Sequence, residues 1–192
     1  MIWRCSISCL VLCSSLLVGS PVQRTQSPLD EAMTSIANDL ASRAAVSWTS
    51  TAHAMMGAKW TTTNTLEQIN TDPSSCLLAW TSVDANPQEK VSETYNVPLQ
   101  AVLSIQVRPY SLSSPFEAQW DLKFSPETYL VGMVSGKIIC GRRQLFKKSK
   151  LKSDAELPNN HEASIRFLEE RTATRIAEEI RRAANLCGSA PS

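Results

Sequence analysis

From about residue 61 to residue 168 the chain consists of short runs in which apolar and polar residues alternate, with no helical period between them. Such runs predict β-strands that are buried on one face. Proline-containing turns end several of the runs, so consecutive strands are expected to fold back on one another. Parallel strands would need helices as connections, and this region has none. The middle of the chain therefore predicts an antiparallel sheet.

We predict six to eight strands in this region. Residues 116–124 give the cleanest alternation, with aromatic and aliphatic residues on one face and charged or amide residues on the other. Leu103, Ile105 and Val107 are expected to share one buried face of their strand. A Ser135-Gly136 pair predicts a hairpin between strands 128–134 and 137–147, and polar residues 149–161 predict an exposed loop. The other predicted strands are 61–69, 76–83, 91–97, 102–107 and 163–168.

A helix is predicted at each end of this sheet. The first, residues 28–46, starts with Ser27-Pro28-Leu29-Asp30, a capping serine with proline at the first helical position. Its apolar stripe has helical spacing and consists of Leu29, Met33, Ile36, Leu40 and Ala44. The second runs from Glu169 to Cys187, with Gly188 as its stop. Its stripe of small and apolar residues consists of Ala173, Ile176, Ala177, Ile180, Ala183, Ala184 and Cys187.

The order helix, strands, helix predicts an α+β fold: an N-terminal helix, a bent antiparallel sheet or partial barrel of six to eight strands, and a C-terminal capping helix. With 192 residues, 43% of them hydrophobic, the chain suffices for one domain with a real core. We therefore expect a single domain over residues 27–192. Dimerisation through the stripe of the first helix is an alternative use of that apolar face.

Residues 1–26 predict a signal peptide. Arg4 supplies the positive charge, and an apolar run of about a dozen residues follows from Ile7 to Val18, too short to span a bilayer. Cleavage is expected after the small residues near Ser20 or closer to Gln26. The protein is then secreted or periplasmic and soluble. A lipid anchor and a retained membrane anchor are the alternatives.

Three of the six cysteines, Cys76, Cys140 and Cys187, follow the predicted signal peptide. They allow three single disulfides, each leaving one thiol over, and thiols brought together outside the cytosol tend to oxidise. The two histidines, His53 and His161, lie far in sequence from these cysteines, so no metal site is predicted. Neither histidine belongs to a nucleophile motif, and no cofactor-binding motif is present.

Residues 137–152 carry seven of the 19 lysines and arginines and none of the 18 acidic residues, although the whole chain has a net charge of only +1. This basic strip is the one anomaly of composition. It predicts either a solvated sheet edge, whose lysines discourage aggregation, or a contact for an anionic partner. The candidate binding residues are Arg142, Arg143, Lys147, Lys148, Lys150 and Lys152.

Two segments resemble small exported bacterial proteins of unknown function that share a cysteine on a central strand and a helix ending in Leu-Cys. The segments are Cys76-Leu-Leu-Ala-Trp80 and Ile165 to Gly188, about 60 residues in all. The overall layout resembles a pleckstrin-homology-like domain. The resemblance implies a Cys76–Cys187 disulfide, with Cys140 as a buried free thiol, and it implies no activity. Pairing of Cys140 with one of the others stays open.

Taken together, the sequence favours an exported, non-enzymatic binding or interaction module, with an anionic lipid or polysaccharide as the candidate partner. Nucleic acid suits an exported chain poorly, and only Phe146 could stack on a base within the strip. One alternative is a small secreted hydrolase with a concave pocket lined by His161 or His53 and a buried acid. The other is a structural envelope subunit that dimerises through its first helix.

Overall fold

The structure is a computed structural model that describes residues 26–52, 58–87, 89–110, 122–139, 142–147, 152–156 and 160–192. Within these residues the chain is an α+β domain with two α-helices and two antiparallel sheets. The helices are α1 (Pro28–Ser42) and α2 (Glu170–Leu186). The strands are β1 (Val46–Ala52), β2 (Ala58–Asp72), β3 (Leu77–Ala85), β4 (Glu89–Pro98), β5 (Val102–Pro109), β6 (Leu122–Ser125), β7 (Tyr129–Ile139), β8 (Arg142–Lys147), β9 (Lys152–Glu156) and β10 (Asn160–Phe167).

The two sheets differ in size. The large sheet has seven strands in the order β6-β1-β2-β3-β4-β8-β9, and the small sheet has three in the order β10-β7-β5. Every strand pairing is antiparallel, as the absence of connecting helices predicts. The described strands do not close into a barrel, and the predicted number of six to eight is too low, since ten strands lie in two sheets. Neither described helix has the length and apolar content that a membrane crossing requires.

Helix α1 begins as its sequence predicts. The Ser27 side chain accepts a hydrogen bond from the Asp30 amide at 3.1 Å, and the Asp30 carboxylate accepts one from the Ser27 amide at 3.2 Å. The predicted end at residue 46 is wrong, because α1 stops at Ser42 and Ala44 is exposed. Val46 instead starts β1, where burial alternates residue by residue as in a strand.

Both helices bury their apolar stripes within the chain. Met33, Ile36 and Leu40 of α1 are at most 1% exposed, and α1 packs on α2 and β2. In α2 the stripe from Ala173 to Ala184 is equally buried, against α1 and the small sheet. Small side chains let a helix approach a sheet closely. Gly188 ends α2 with a φ of 85°, a conformation that favours glycine.

The hairpin predicted at Ser135-Gly136 is wrong, since β7 continues through both residues to Ile139. β7 is the central strand of the small sheet and pairs with β5 and β10 on its two sides. The irregular positions lie in those two neighbours instead, where the register shifts between Val102 and Ser104 and between Asn160 and Glu162. The next strand, β8, begins only at Arg142.

One of these register shifts also overturns the prediction for Leu103, whereas Ile105 and Val107 lie on the core side of β5 as predicted. Val102 and Ile105 are 2% exposed, whereas Leu103 is 59% exposed. A shift of one residue moves a side chain to the opposite face of a sheet. The predicted loop 149–161 is wrong in part, because it contains β9 and the first residues of β10. β9 has a polar sequence because it is an edge strand of the large sheet.

The remaining strand predictions are confirmed with small changes in their ends: 61–69 in β2, 76–83 in β3, 91–97 in β4, 102–107 in β5, 128–134 in β7 and 163–168 in β10. The predicted strand 116–124 lies mostly outside the described residues, which include its end in β6. His53 and Cys140 also lie outside them.

Candidate functional site

The small sheet turns one face to the helices, and its other face carries polar residues together with Leu130 and Val134. Ile105, Met133 and Ala163 pair across β5, β7 and β10 and are buried in the core. Because successive side chains point to opposite faces of a strand, the next residue of each strand lies on the other face. Gln106, Gly132 and Ser164 form that adjacent row, with Gly132 in the middle.

The glycine at the centre of this face creates a concavity, which we call the Gly132 depression. It has a volume of about 230 Å³, and Gly132 is surrounded by Tyr95, Ser104, Gln106, Arg108, Glu162 and Ser164. A methyl group at Gly132 would have its nearest described neighbour, the Gln106 carbonyl oxygen, at 3.8 Å, which is ordinary contact. Backbone crowding therefore does not require glycine here. What the glycine provides is room above the sheet.

Opposite charges stand at two corners of this depression. Arg108 is in register with Leu130 and Arg166 on one side of the Gly132 row, and Glu162 is in register with Val134 on the other. The Cα atoms of Arg108 and Glu162 are separated by two strand spacings and four residues along the strands, about 16 Å for regular sheet geometry. Both residues line the depression, and the register puts both side chains on the face of the sheet where Gly132 lies.

Tyr95 of the large sheet contributes an aromatic side chain to the lining. Its hydroxyl donates a hydrogen bond to the Glu93 carboxylate at 2.5 Å. Its ring stacks on the buried Trp80, with 5.1 Å between ring centroids and 25° between planes. These two contacts hold the ring in one orientation. The depression therefore lies where the two sheets meet and has residues of both in its lining.

The Arg166 side chain is engaged in contacts within the fold. Its guanidinium lies between two aromatic rings, 4.1 Å from the Trp48 centroid and 3.9 Å from the Tyr110 centroid. One of its nitrogens donates to the Thr128 hydroxyl at 2.9 Å. Cation–π contacts of this kind stabilise by about 0.5–2 kcal/mol. Because Trp48 belongs to the large sheet and Arg166 to the small one, this contact joins the sheets. Arg108, in contrast, is exposed and lines the depression.

A second buried polar cluster lies behind the end of α1. Arg43 donates a hydrogen bond to the side-chain oxygen of Asn64. The amide of Asn64 donates to Ser82 at 2.8 Å and to Asp84 at 2.7 Å. Burial lowers the pKa of Arg43 from its usual range to about 10; Asp84 acts in the opposite direction, and Arg166 lowers the pKa further. The cluster pairs the Arg43 terminal nitrogens and the Asn64 amide, although Arg43 Nε has no acceptor among the described residues. Pairing buried polar groups is a structural task.

This low pKa predicts an unusual alkaline behaviour. The folded protein releases the Arg43 proton near pH 10, whereas the unfolded chain keeps it to a higher pH, so this residue makes the free energy of unfolding rise with pH above about 10. We expect Arg43→Met to lack that rise. In urea denaturation from about pH 8 to pH 11, the free energy of unfolding of wild type should increase with pH relative to that of the variant. The exposed control Arg171→Met should follow wild type, and a pH-independent difference for Arg43→Met would contradict the prediction.

The structure places four of the six basic-strip candidates on strands. Arg142, Arg143 and Lys147 are on β8, and Lys152 begins β9, while Lys148 and Lys150 lie outside the described residues. The register sets an acid opposite three of the four placed positions. These pairs are Arg142 with Glu156, Arg143 with Glu93, and Lys147 with Glu89.

Lys152 is the exception among the placed strip residues. It lies opposite Phe146 on β8, and Phe146 lies opposite Lys90 on β4. Lys90, Phe146 and Lys152 therefore form one row across three neighbouring strands at the edge of the large sheet. The sequence alone does not assign Lys90 to this group, because only the strand register places it opposite Phe146.

The other candidate features are placed as follows. His161 is exposed, and its Nδ1 lies 3.1 Å from the Ser135 carbonyl oxygen. The described residues that line the Gly132 depression include no histidine, although Glu162 is among them. The α1 stripe considered for dimerisation is covered by α2 and β2. Among the described residues, no three metal-ligating side chains lie together.

Cys76 and Cys187 form a disulfide, with Cα atoms 6.0 Å apart, and this is the pairing that the resemblance implies. It ties the end of α2 to the turn before β3. In comparisons with protein-family models, curated proteins and solved structures, nothing matches this chain. A proposal about its function therefore rests on the fold and the two surfaces described above. The Gly132 depression was missed at the sequence level, although a glycine inside a strand pattern signals open space or close backbone approach.

Proposed function

We propose that this chain is an exported, non-enzymatic binding module that holds an anionic partner at the β8–β9 edge of the large sheet. The apolar run Ile7–Val18 supports export. The Cys76–Cys187 disulfide supports the same conclusion, because disulfides persist mainly in oxidising compartments. The binding proposal rests on the basic strip.

The observation that carries this proposal is the placement of Arg142, Arg143, Lys147 and Lys152 on two adjacent strands at one sheet edge. Acids stand opposite Arg142, Arg143 and Lys147, and opposite charges across a sheet offset one another. The register sets no acid opposite Lys90 or Lys152, which both lie opposite Phe146, and Lys148 and Lys150 come between β8 and β9 in the sequence. Positive charge is therefore concentrated at the β8–β9 connection.

A concentration of lysines recognises closely spaced negative groups, as in anionic lipid headgroups or an acidic polysaccharide. Each lysine near an anionic surface contributes about 1 kcal/mol. Replacing Lys148, Lys150 and Lys152 by serine should therefore weaken binding about 100-fold at low salt. Binding of the wild type should also weaken as the salt concentration rises.

The test is co-sedimentation with vesicles that contain anionic lipid, run beside retention on immobilised heparin. The control has the same charge change elsewhere: Lys59→Ser, Arg171→Ser and Arg182→Ser, three exposed positions away from the strip. We expect the control to lose little binding. Equal losses in both triple variants would mean that net charge alone matters and would overturn the site. Retention on heparin without vesicle binding would identify the partner as a polysaccharide.

We also infer that the two sheets are halves of one strongly bent layer, in the manner of a pleckstrin-homology-like domain. The contacts of Arg166 with Trp48 and the presence of Tyr95 in the lining of the small-sheet depression support this arrangement. An experimental structure in which the two sheets pack as separate flat layers would contradict it.

A further inference from the structure

We propose that the Gly132 depression is a second binding site, independent of the basic strip, and that it takes a small zwitterion: a free α-amino acid or a short peptide. Such a ligand carries a carboxylate and an ammonium group at a short distance from each other. The depression has one cationic and one anionic side chain on its rim, with uncharged polar groups between them.

The size of the depression limits the ligand. Sites for drug-sized molecules have volumes of about 300–1,000 Å³, and the depression has about 230 Å³. A polymer chain would have to pass across it, whereas an amino acid or dipeptide would fit within it. The missing side chain at Gly132 makes this volume, since each neighbouring position of the same row has a side chain.

The charges select the ligand class. Arg108 presents a planar guanidinium that binds a carboxylate through two parallel hydrogen bonds. Glu162, at the opposite corner, accepts hydrogen bonds from an ammonium group. Glu162 has a further interaction of its own, and a carboxylate has enough acceptor sites to serve both. A simple anion would bind Arg108 and would have no ammonium group to donate a hydrogen bond to Glu162.

The groups between the charges suit the middle of such a ligand. Gln106 and Ser164 lie on either side of Gly132 in the same row, and Ser104 lies next to Gln106 on that face of β5. Amide and hydroxyl side chains both donate and accept hydrogen bonds, so they match a peptide group or a polar amino-acid side chain. Tyr95, which is 9% exposed and stacked on Trp80, contributes a small and fixed part of the lining.

The proposal is tested by isothermal titration of the full chain with five probes. L-Alanine and glycylglycine are the zwitterions, sodium acetate and methylammonium chloride each carry one of the two charges, and glucose is uncharged. We expect saturable binding of at least one zwitterion by about 10 mM, with thermal stabilisation of the protein. Binding of L-alanine alone identifies an amino-acid site, and binding of glycylglycine alone a peptide site. Failure of both zwitterions, or equal affinity for acetate or glucose, would overturn the proposal.

Variants locate the binding. Arg108→Gln and Glu162→Gln should each weaken binding of the zwitterion about 10- to 100-fold, since each removes a charged hydrogen-bonding group. Arg171→Gln and Glu178→Gln, exposed on α2, are the matched controls. Gly132→Leu should abolish binding by filling the depression. If that variant unfolds, Gly132→Ala adds only a methyl group 3.8 Å from the Gln106 oxygen and should still weaken binding. The triple serine variant of the strip should bind the zwitterion like wild type, and zwitterion binding unaffected by the Gly132 variants would place it elsewhere.

Discussion

Replacing Cys76 and Cys187 together by alanine is expected to lower the free energy of unfolding by about 4–5 kcal/mol. The disulfide closes a loop with a sequence separation of 111 residues, and loop-closure entropy for that length gives about this value. Small domains have total stabilities of about 5–15 kcal/mol, so the loss removes about a quarter or more of the total. The disulfide also ties α2 to the large sheet, and its removal should destabilise the end of that helix first.

Chemical denaturation with and without a reductant measures this effect. Wild type should lose stability in reductant, and the double variant should be equally unstable in both conditions. Cys140→Ala is the matched control, since it removes a cysteine outside the disulfide and should keep the response to reductant. Intact mass spectrometry should show a gain of about 2 Da on reduction of one disulfide in wild type and none in the double variant. A wild type that is indifferent to reductant would contradict the prediction.

Features that depend on neighbours in sequence were predictable. The capping box of α1 requires only Ser27, Pro28 and Asp30, and the stop of α2 requires only Gly188. Alternation of apolar and polar residues found most of the described strands, because a strand with one buried face must repeat every two residues. The α+β class followed from the order of these elements.

Features that depend on strand pairing were not predictable. Ser135-Gly136 has the composition of a hairpin turn, yet β7 passes straight through it because two neighbouring strands hold it in the sheet. Leu103 has the pattern of a buried residue, and a register shift turns it to solvent. Turn preference and periodicity are local, whereas pairing joins residues that are distant in sequence.

The candidate sites follow the same division. The basic strip is a run in the sequence, so composition alone revealed it. The Gly132 depression unites residues from β4, β5, β7 and β10, and no single segment contains its pattern. Arg166 carried no signal either, because its aromatic neighbours Trp48 and Tyr110 are more than 50 residues away along the chain. A three-strand register is needed before such a site can be recognised.

Trp80→Ala is expected to lower the free energy of unfolding by about 3–5 kcal/mol, because it leaves a large cavity in a close-packed core. Trp80 is fully buried and stacks on Tyr95. The loss should also release the Tyr95 ring and so weaken any ligand bound at the Gly132 depression. Leu103→Ala is the control, since Leu103 is 59% exposed and its truncation should change stability by only about 0.5 kcal/mol.

Trp80→Phe separates packing from polarity at this position. The Trp80 indole nitrogen is buried and has no hydrogen-bond acceptor among the described residues, and an unpaired buried donor costs about 1–3 kcal/mol. Phenylalanine removes that donor and keeps an aromatic ring against Tyr95, at the expense of a small cavity. The two effects oppose each other, so the free energy of unfolding of Trp80→Phe should lie within about 1 kcal/mol of the wild-type value in urea denaturation. A loss as large as that of Trp80→Ala would mean that the indole nitrogen is hydrogen-bonded in the folded protein.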